Sequence, residues 1–185
     1  MGSHISFLEV SGMVVGAIGD SMLGYEYLRV QSMTQEIDAL VNTLLSTSRK
    51  GLLRGRPVFK LHVETSSAEL SKLEEEIGIS LPNDLRNWLL AVGYGDIGDE
   101  LSFRREWLKR IESGQLKGSA LFAQDILGNF YAFDASGRIF FLSRSGPTFA
   151  EMSKDFLAFI EELVRRDYKL VDWVNALETR RYEWR

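Results

Sequence analysis

The chain has 185 residues, 45% of them hydrophobic and 26% charged, which is typical of one globular domain with a sizeable core. It contains no cysteine, which excludes disulfides and thiolate chemistry, and no apolar run approaches the ~18 residues of a membrane span, so we expect a cytoplasmic protein without membrane contact. The formal net charge of −4 excludes the strongly basic character of many nucleic-acid-binding proteins.

Residues 1–57 are predicted to form an N-terminal extension of short strands and one helix, packed on the core. Met1 to His4 match a cloning remnant as well as a native start, and nothing is drawn from them. The helix is predicted to begin at Ser32 and to end near Arg49 and Lys50, with this apolar stripe: Ile37, Leu40, Val41, Leu44 and Leu45. A strand is predicted at 58–63.

Three further helices are predicted before residue 115. Ser66 and Glu69 have capping-box spacing, and that helix is predicted to stop at Gly78. Another begins at Pro82 and closes at Gly93, and a third runs from a Ser102 cap to Gly114. Their apolar stripes include two tryptophans that we expect in the core, Trp88 and Trp107.

Aromatic-rich runs at 121–125, 130–134 and 139–143, separated by glycine-containing turns, predict a three-stranded antiparallel meander. A helix is predicted from Ser153, and Val171 to Leu177 predict a last short one. The expected fold class is α+β, with an antiparallel or mixed sheet around the central meander and flanking helices. We place the core at 58–166 and a helical tail at 167–185.

Few residue patterns point to catalysis or to a cofactor. Gly93 to Gly98 match the glycine spacing of the dinucleotide-binding fingerprint. These glycines, however, follow a predicted helix instead of a strand, and they precede Asp99 and Glu100, which would repel phosphate. We therefore predict a helix end followed by a loop. Asp125 and Asp134 could meet as an acid–base pair, although turn roles fit them better. We therefore expect no enzyme, no catalytic residue, no cofactor and no metal site.

Three ordered groups of residues within 66–164 resemble the SUKH superfamily. The first resembles its opening motif: Leu73, Glu76-Ile77-Gly78-Ile79, Leu81-Pro82, Asp84-Leu85 and Trp88-Leu89-Leu90. The second resembles its central hairpin: Asp125, Gly128-Asn129, Tyr131, Phe133-Asp134 and Gly137. The third resembles its closing helix: Ser153, Asp155-Phe156 and Phe159-Ile160. Leu85 departs from the pattern, since an aromatic residue is frequent there.

The resemblance implies an α+β fold that works by binding another protein. Many bacterial members are immunity proteins that neutralise the toxin domain of a polymorphic, contact-dependent or secretion-system effector in bacterial competition, and fungal relatives regulate cell-wall synthesis. It also assigns structural roles to six motif positions: Gly78, Pro82, Trp88, Gly128, Asn129 and Asp134. Both an immunity protein and a non-enzymatic regulator or scaffold stay open.

The acidic residues cluster in one stretch, since 66–101 hold eight acidic and two basic side chains. Phosphate would be repelled there, so we expect no direct nucleic-acid partner and favour a basic toxin protein. The stretch ends in what we predict to be an exposed acidic loop and part of the partner contact, with these residues: Tyr94, Asp96, Asp99 and Glu100. A solvated loop without a contact is the alternative, and the oligomeric state stays open.

Overall fold

The fold consists of helices and antiparallel strands. The structure, a computed structural model, describes residues 35–49 and 55–183. The helices are α1 (35–46), α2 (Ser67–Ile77), α3 (Asn83–Val92), α4 (Phe156–Arg165) and α5 (Val171–Asn175). The strands are β1 (Ser48–Arg49), β2 (Arg56–Pro57), β3 (Phe59–Val63), β4 (Tyr94–Ile97), β5 (Leu101–Ser102), β6 (Ala120–Asp125), β7 (Phe130–Phe133), β8 (Ile139–Leu142), β9 (Thr148–Ser153) and β10 (Arg180–Arg181). The α+β prediction is confirmed, while the strands expected in the first thirty residues and the Ser32 cap lie outside the described residues.

Eight of the described strands form one antiparallel sheet in the order β10-β9-β8-β7-β6-β5-β4-β3. The predicted meander is its centre, because β6 pairs with β7 and β7 with β8. β1 and β2 pair separately as a short ribbon, and α1 ends by residue 46 rather than near Arg49. Because Ser48–Arg49 form a strand of this ribbon, the helix ends before the predicted C-terminal residues, Arg49 and Lys50.

The centre of the sheet is buried on both faces, which explains why every residue of β8 is buried, whereas β3 at one edge is mostly exposed. Along β7, Tyr131 and Phe133 join the large core with α2, α3 and α4, while Ala132 joins a smaller cluster on the other face. The smaller cluster is closed by a loop and the C-terminal segment through Ile111, Leu116 and Tyr182. Side chains that alternate along a strand therefore fill two cores instead of one core and a solvated face.

The helices packed on the large core form where the sequence predicts them. The Ser66–Glu69 capping box is complete, since Ser66 N–H donates to Glu69 at 2.8 Å and Glu69 N–H donates to Ser66 Oγ at 3.3 Å. Gly78 ends α2 with a φ of 66°. The expected stripes are buried: Leu70, Leu73 and Ile77 of α2, and Leu85, Trp88, Leu89 and Val92 of α3. These predictions are confirmed, whereas Leu45 of the α1 stripe is 52% exposed.

The helix predicted from Ser102 to Gly114 is wrong. Ser102 lies in β5, where its backbone pairs with β4 and β6, and only Arg105–Trp107 form a short 3-10 turn. The apolar spacing misled the prediction because Phe103 packs into the large core while Ile111 belongs to the cluster on the other sheet face. Trp107 is partly exposed with the Arg104 guanidinium 5.9 Å from its ring, so its expected core position is also wrong.

The C-terminal third contains two strands that the sequence reasoning missed, β9 and β10. Ser153 ends β9 instead of starting a helix, and Asp155 is the N-cap of α4, accepting the Ala158 N–H at 2.7 Å. The predicted last helix is α5, whose Trp173 stacks 5.5 Å from Phe159. The segment boundaries proposed after residues 57 and 166 stay predictions.

Candidate partner-binding site

The segment expected to be an exposed acidic loop, Tyr94 to Glu100, is a strand followed by a turn. β4 lies between β3 and β5 in the sheet. Gly93 ends α3 at a φ of 74°, and a Cβ on Gly95 would collide with the Lys60 carbonyl oxygen and lie 2.6 Å from the Phe59 ring. The glycine spacing therefore serves helix termination and the close approach of two strands, and the exposed-loop prediction is wrong for β4.

Tyr94 and Asp96 are held by the fold. Tyr94 is 4% exposed, and burial raises the pKa of its hydroxyl. Asp96 Oδ2 lies 2.6 Å from His62 Nε2, and Asp96 Oδ1 accepts hydrogen bonds from Ser102 Oγ at 2.7 Å and Arg104 Nη2 at 2.8 Å. Burial by itself would raise the pKa of Asp96, but the bonds to His62 and Ser102 and the Arg104 charge outweigh it and lower the pKa. Asp96 is already satisfied within this chain.

His62, Asp96 and Ser102 have the residue types of an acyl-transfer triad but a different order of hydrogen bonds. In such a triad the serine bonds to the histidine, which removes the serine proton. Here Ser102 donates directly to Asp96, so the hydroxyl is not paired with the histidine that would remove its proton in a triad. The cluster joins β3, β4 and β5, and His62 also lines a cleft of about 380 Å³.

Asp99 and Glu100 lie in the turn between β4 and β5, where Asp99 is exposed. Glu100 is half-buried, and its Oε2 accepts the Leu170 N–H at 3.2 Å. Glu100 also lines a small cleft together with residues of the β6–β7 turn and of α5. The fold therefore places Glu100 of the predicted acidic contact beside the β6–β7 turn and α5, which are distant from it in sequence.

Three exposed aliphatic side chains surround this cleft, and sequence reasoning missed them. Ile126 is 69% exposed, Leu127 63% and Val171 47%. Ile126 and Leu127 occupy the centre of the turn that Gly128 N–H closes onto the Asp125 carbonyl at 2.9 Å. Turn centres ordinarily carry Gly, Asn, Asp, Ser or Pro, so an Ile-Leu pair there was the available signal. We call Ile126, Leu127 and Val171 the hairpin-tip patch.

Asp125 and Asp134 do not meet. Asp125 lies at the β6–β7 turn and Asp134 at the β7–β8 turn, so the four residues of β7 separate them by roughly 13 Å at ~3.3 Å per residue. Asp125 accepts the backbone N–H groups of Leu127 and Asn129, each at 2.9 Å. Asp134 accepts those of Ser136 at 2.9 Å and Arg138 at 3.0 Å. Both carboxylates stabilise turns.

The six motif positions lie at helix ends, in the core or in turns. Gly78 and Pro82 flank the connection between α2 and α3, and Trp88 is fully buried. In the β6–β7 turn, Gly128 has a φ of 83°, and Asn129 Oδ1 accepts the Arg144 N–H at 3.0 Å. Hydrogen bonds to Ser136 and Arg138 lower the pKa of Asp134 although burial opposes them.

Two kinds of site are absent from the described part of the chain. Within residues 35–49 and 55–183, His, Asp and Glu side chains form no group of three or more that could hold a metal ion. No described helix is both long and apolar enough to cross a bilayer.

Comparison with known proteins gives one result. The model of the SMI1 / KNR4 family (SUKH-1) matches residues 64–162, from just before the capping box to the last turn of α4. No curated protein and no solved structure matches the chain. The matched segment is more than half of the 185 residues and contains all three groups of resembled residues. The chain therefore belongs to the SMI1 / KNR4 (SUKH-1) family.

Proposed function

We propose that this chain is an immunity protein, without enzymatic activity, that binds and neutralises the toxin domain of a bacterial effector in the cytoplasm. Family membership over residues 64–162 is the observation that carries the proposal, since the family is consistent with immunity and regulatory roles. Both roles work by binding another protein.

The charged side chains that could act in catalysis make hydrogen bonds within the fold, which supports a binding function over an enzymatic one. His62 and Asp96 hold three strands together, and Asp125 and Asp134 close turns at opposite ends of β7. A general acid or base must instead reach a substrate with a free lone pair or proton. Each of these four groups already makes a hydrogen bond or an ion pair within the fold.

Charge supports a basic partner. The stretch 66–101 has a net charge of −6, from eight acidic and two basic side chains, and Asp99 and Glu100 lie at its end. Complementary fields speed diffusional encounter, and a few buried apolar anchors then set the lifetime of the complex. An acidic inhibitor of a basic toxin would capture it quickly before damage spreads.

The test is co-purification with the toxin domain encoded by the gene next to that of this chain. We expect a stable one-to-one complex, loss of toxin activity at stoichiometric ratios, and rescued growth of cells that express both proteins. A neighbouring locus without a toxin gene, or a toxin domain that neither binds nor loses activity, would contradict the proposal. Co-purification with a cell-wall synthesis protein would instead favour the regulatory role.

A control addresses catalysis. The purified chain is screened alone for hydrolysis of glycosidic, ester and phosphoester bonds. Saturable turnover that Asp125→Asn or Asp134→Asn abolishes would overturn the non-enzymatic part of the proposal, and we expect none.

A further inference from the structure

The hairpin-tip patch combines high exposure with a rigid backbone. Ile126 and Leu127 occupy the two central positions of the turn from Asp125 to Gly128 and are 69% and 63% exposed. Asp125 Oδ1 accepts the N–H groups of Leu127 and Asn129, and Asp125 Oδ2 accepts Asn129 Nδ2 at 2.9 Å and the Tyr131 hydroxyl at 3.0 Å. The turn is therefore held by Asp125 and its partners and needs neither aliphatic side chain for its shape.

Fixing the backbone matters for binding because ordering a flexible loop costs free energy when a complex forms. Two aliphatic side chains on a fixed tip lose only their own rotamer freedom on insertion into a partner. Val171 widens the apolar surface from the neighbouring α5, across the cleft that Glu100 lines. A convex apolar tip of this kind is complementary to a concave apolar pocket.

Acidic residues flank the patch on two elements. Asp99 and Glu100 lie in the adjacent β4–β5 turn, and Asp172 follows Val171 directly in α5. Three cations are also nearby: Arg144, whose side chain packs over Gly128, Lys169, and Arg166, which lies 5.3 Å from the Trp173 ring of α5 and is paired with Glu162. A partner with Lys or Arg side chains around its pocket would face an acidic rim, which assists association and positions the apolar tip.

We propose that the hairpin-tip patch is the anchor that inserts into an apolar pocket with a basic rim on the toxin domain. This inference rests on the proposed function and adds the surface and the chemistry of the partner. Ile126 and Leu127 fill the pocket, Val171 covers its edge, and Asp99 and Asp172 face the basic rim. Tyr94 and Asp96, the other residues of the predicted contact, support the β4–β5 turn from within the sheet.

The experiment measures the affinity of this chain for an inactivated form of the neighbouring toxin domain by calorimetry. We expect Ile126→Ser with Leu127→Ser to weaken binding by at least about thirtyfold, because central apolar anchors dominate interface energies. Val63→Ser is the matched control, since Val63 is 60% exposed and lies at the end of β3 away from the β4–β5 turn. It should leave the affinity within about threefold, as peripheral contacts do.

A second pair of variants tests the rim. Asp99→Lys with Asp172→Lys should slow association about tenfold or more at low salt, and the difference should shrink as salt is added. Glu75→Lys with Glu161→Lys changes the net charge equally on exposed positions of α2 and α4 and is the control. Equal slowing by both pairs would show an effect of net charge alone and would overturn the acidic rim.

The outcomes separate the two proposals. A toxin that binds the unmodified chain and the Ile126→Ser, Leu127→Ser variant equally would overturn the anchor and leave the immunity function intact. A toxin that binds neither would overturn the immunity function and the anchor together. Sedimentation of the chain alone gives the remaining outcome: a dimer that these two substitutions dissociate would assign the patch to a second copy and overturn the toxin contact.

Discussion

Asp84 and Trp88 lie one turn apart on the buried side of α3, and neither Asp84 Oδ1 nor Trp88 Nε1 has a hydrogen-bond partner among the described residues. Asp84 is 6% exposed. Burial, followed by the charges of Asp155 and Glu36, raises its pKa. A carboxyl group that is hard to ionise therefore lies beside a fully buried tryptophan of the core.

Asp84→Asn should stabilise the protein at neutral pH by an amount on the order of 1 kcal/mol, because the amide carries no charge to desolvate. A raised folded-state pKa gives stability that is present below the ordinary value of 3.8 and lost as pH rises through the raised value. The advantage of the variant should therefore shrink as pH falls toward 4. Urea unfolding at pH 7 and at pH 4 measures the stability gain of the variant and its decrease at low pH. An Asp84→Asn variant that is less stable than the parent at pH 7 would refute the destabilising role of the Asp84 charge. Asp99→Asn, at an exposed position, is the control and should leave the unfolding free energy unchanged at both pH values.

Trp88→Ala should cost about 3 to 5 kcal/mol of unfolding free energy, the usual range for a buried tryptophan. Trp88 is fully buried, with ring centroids 5.9 Å from Phe156 and 6.3 Å from Phe103. Thermal and urea unfolding provide the measurement. Trp107→Ala is the comparison, and its cost should be less than half as large because Trp107 is partly exposed. Equal costs would contradict the different placement of the two side chains.

Asp96→Asn should destabilise the fold by about 1 to 2 kcal/mol at pH 7, since it weakens hydrogen bonds made to a charged group. The pKa of Asp96 is lowered in the folded chain, so its contribution is present above the ordinary value of 3.8 and lost as pH falls through the lower folded value. The stability difference between the two proteins should shrink as pH falls below 3.8 and vanish once Asp96 is protonated in both the folded and unfolded states. A difference that persists there would indicate a packing effect. Glu64→Gln, at an exposed position just after β3, is the control.

Gly128→Ala should destabilise the β6–β7 turn by about 1 to 2 kcal/mol, because a side chain at positive φ is strained. The φ of Gly128 is 83°, and an added Cβ would lie 2.7 Å from Arg144 Cδ and Nη1. Gly146→Ala is the matched control, since its Cβ would meet nothing within 4 Å. Differential scanning calorimetry of both variants checks this. Equal melting temperatures would show that the turn relaxes without cost.

Local signals predicted the elements that depend on local physics. The Ser66 capping box, the helix end at Gly78 and the glycine-separated strands of the meander are each formed by residues close together in sequence. The helix expected after Ser102 failed because Phe103 and Ile111 fill different cores, which a single helical stripe cannot reveal. β9 was missed because it follows a turn and contains only three apolar residues, Phe149, Ala150 and Met152.

The sequence by itself determined the fold class, the family and the concentration of acidic residues before residue 101. Only the tertiary structure decided which of those acids are available, because strand pairing encloses Tyr94 and Asp96 while leaving Asp99 exposed. It also brought Ile126, Leu127 and Val171 together from two separate segments. Surface patches depend on contacts between residues that are remote along the chain, and no local periodicity encodes those contacts.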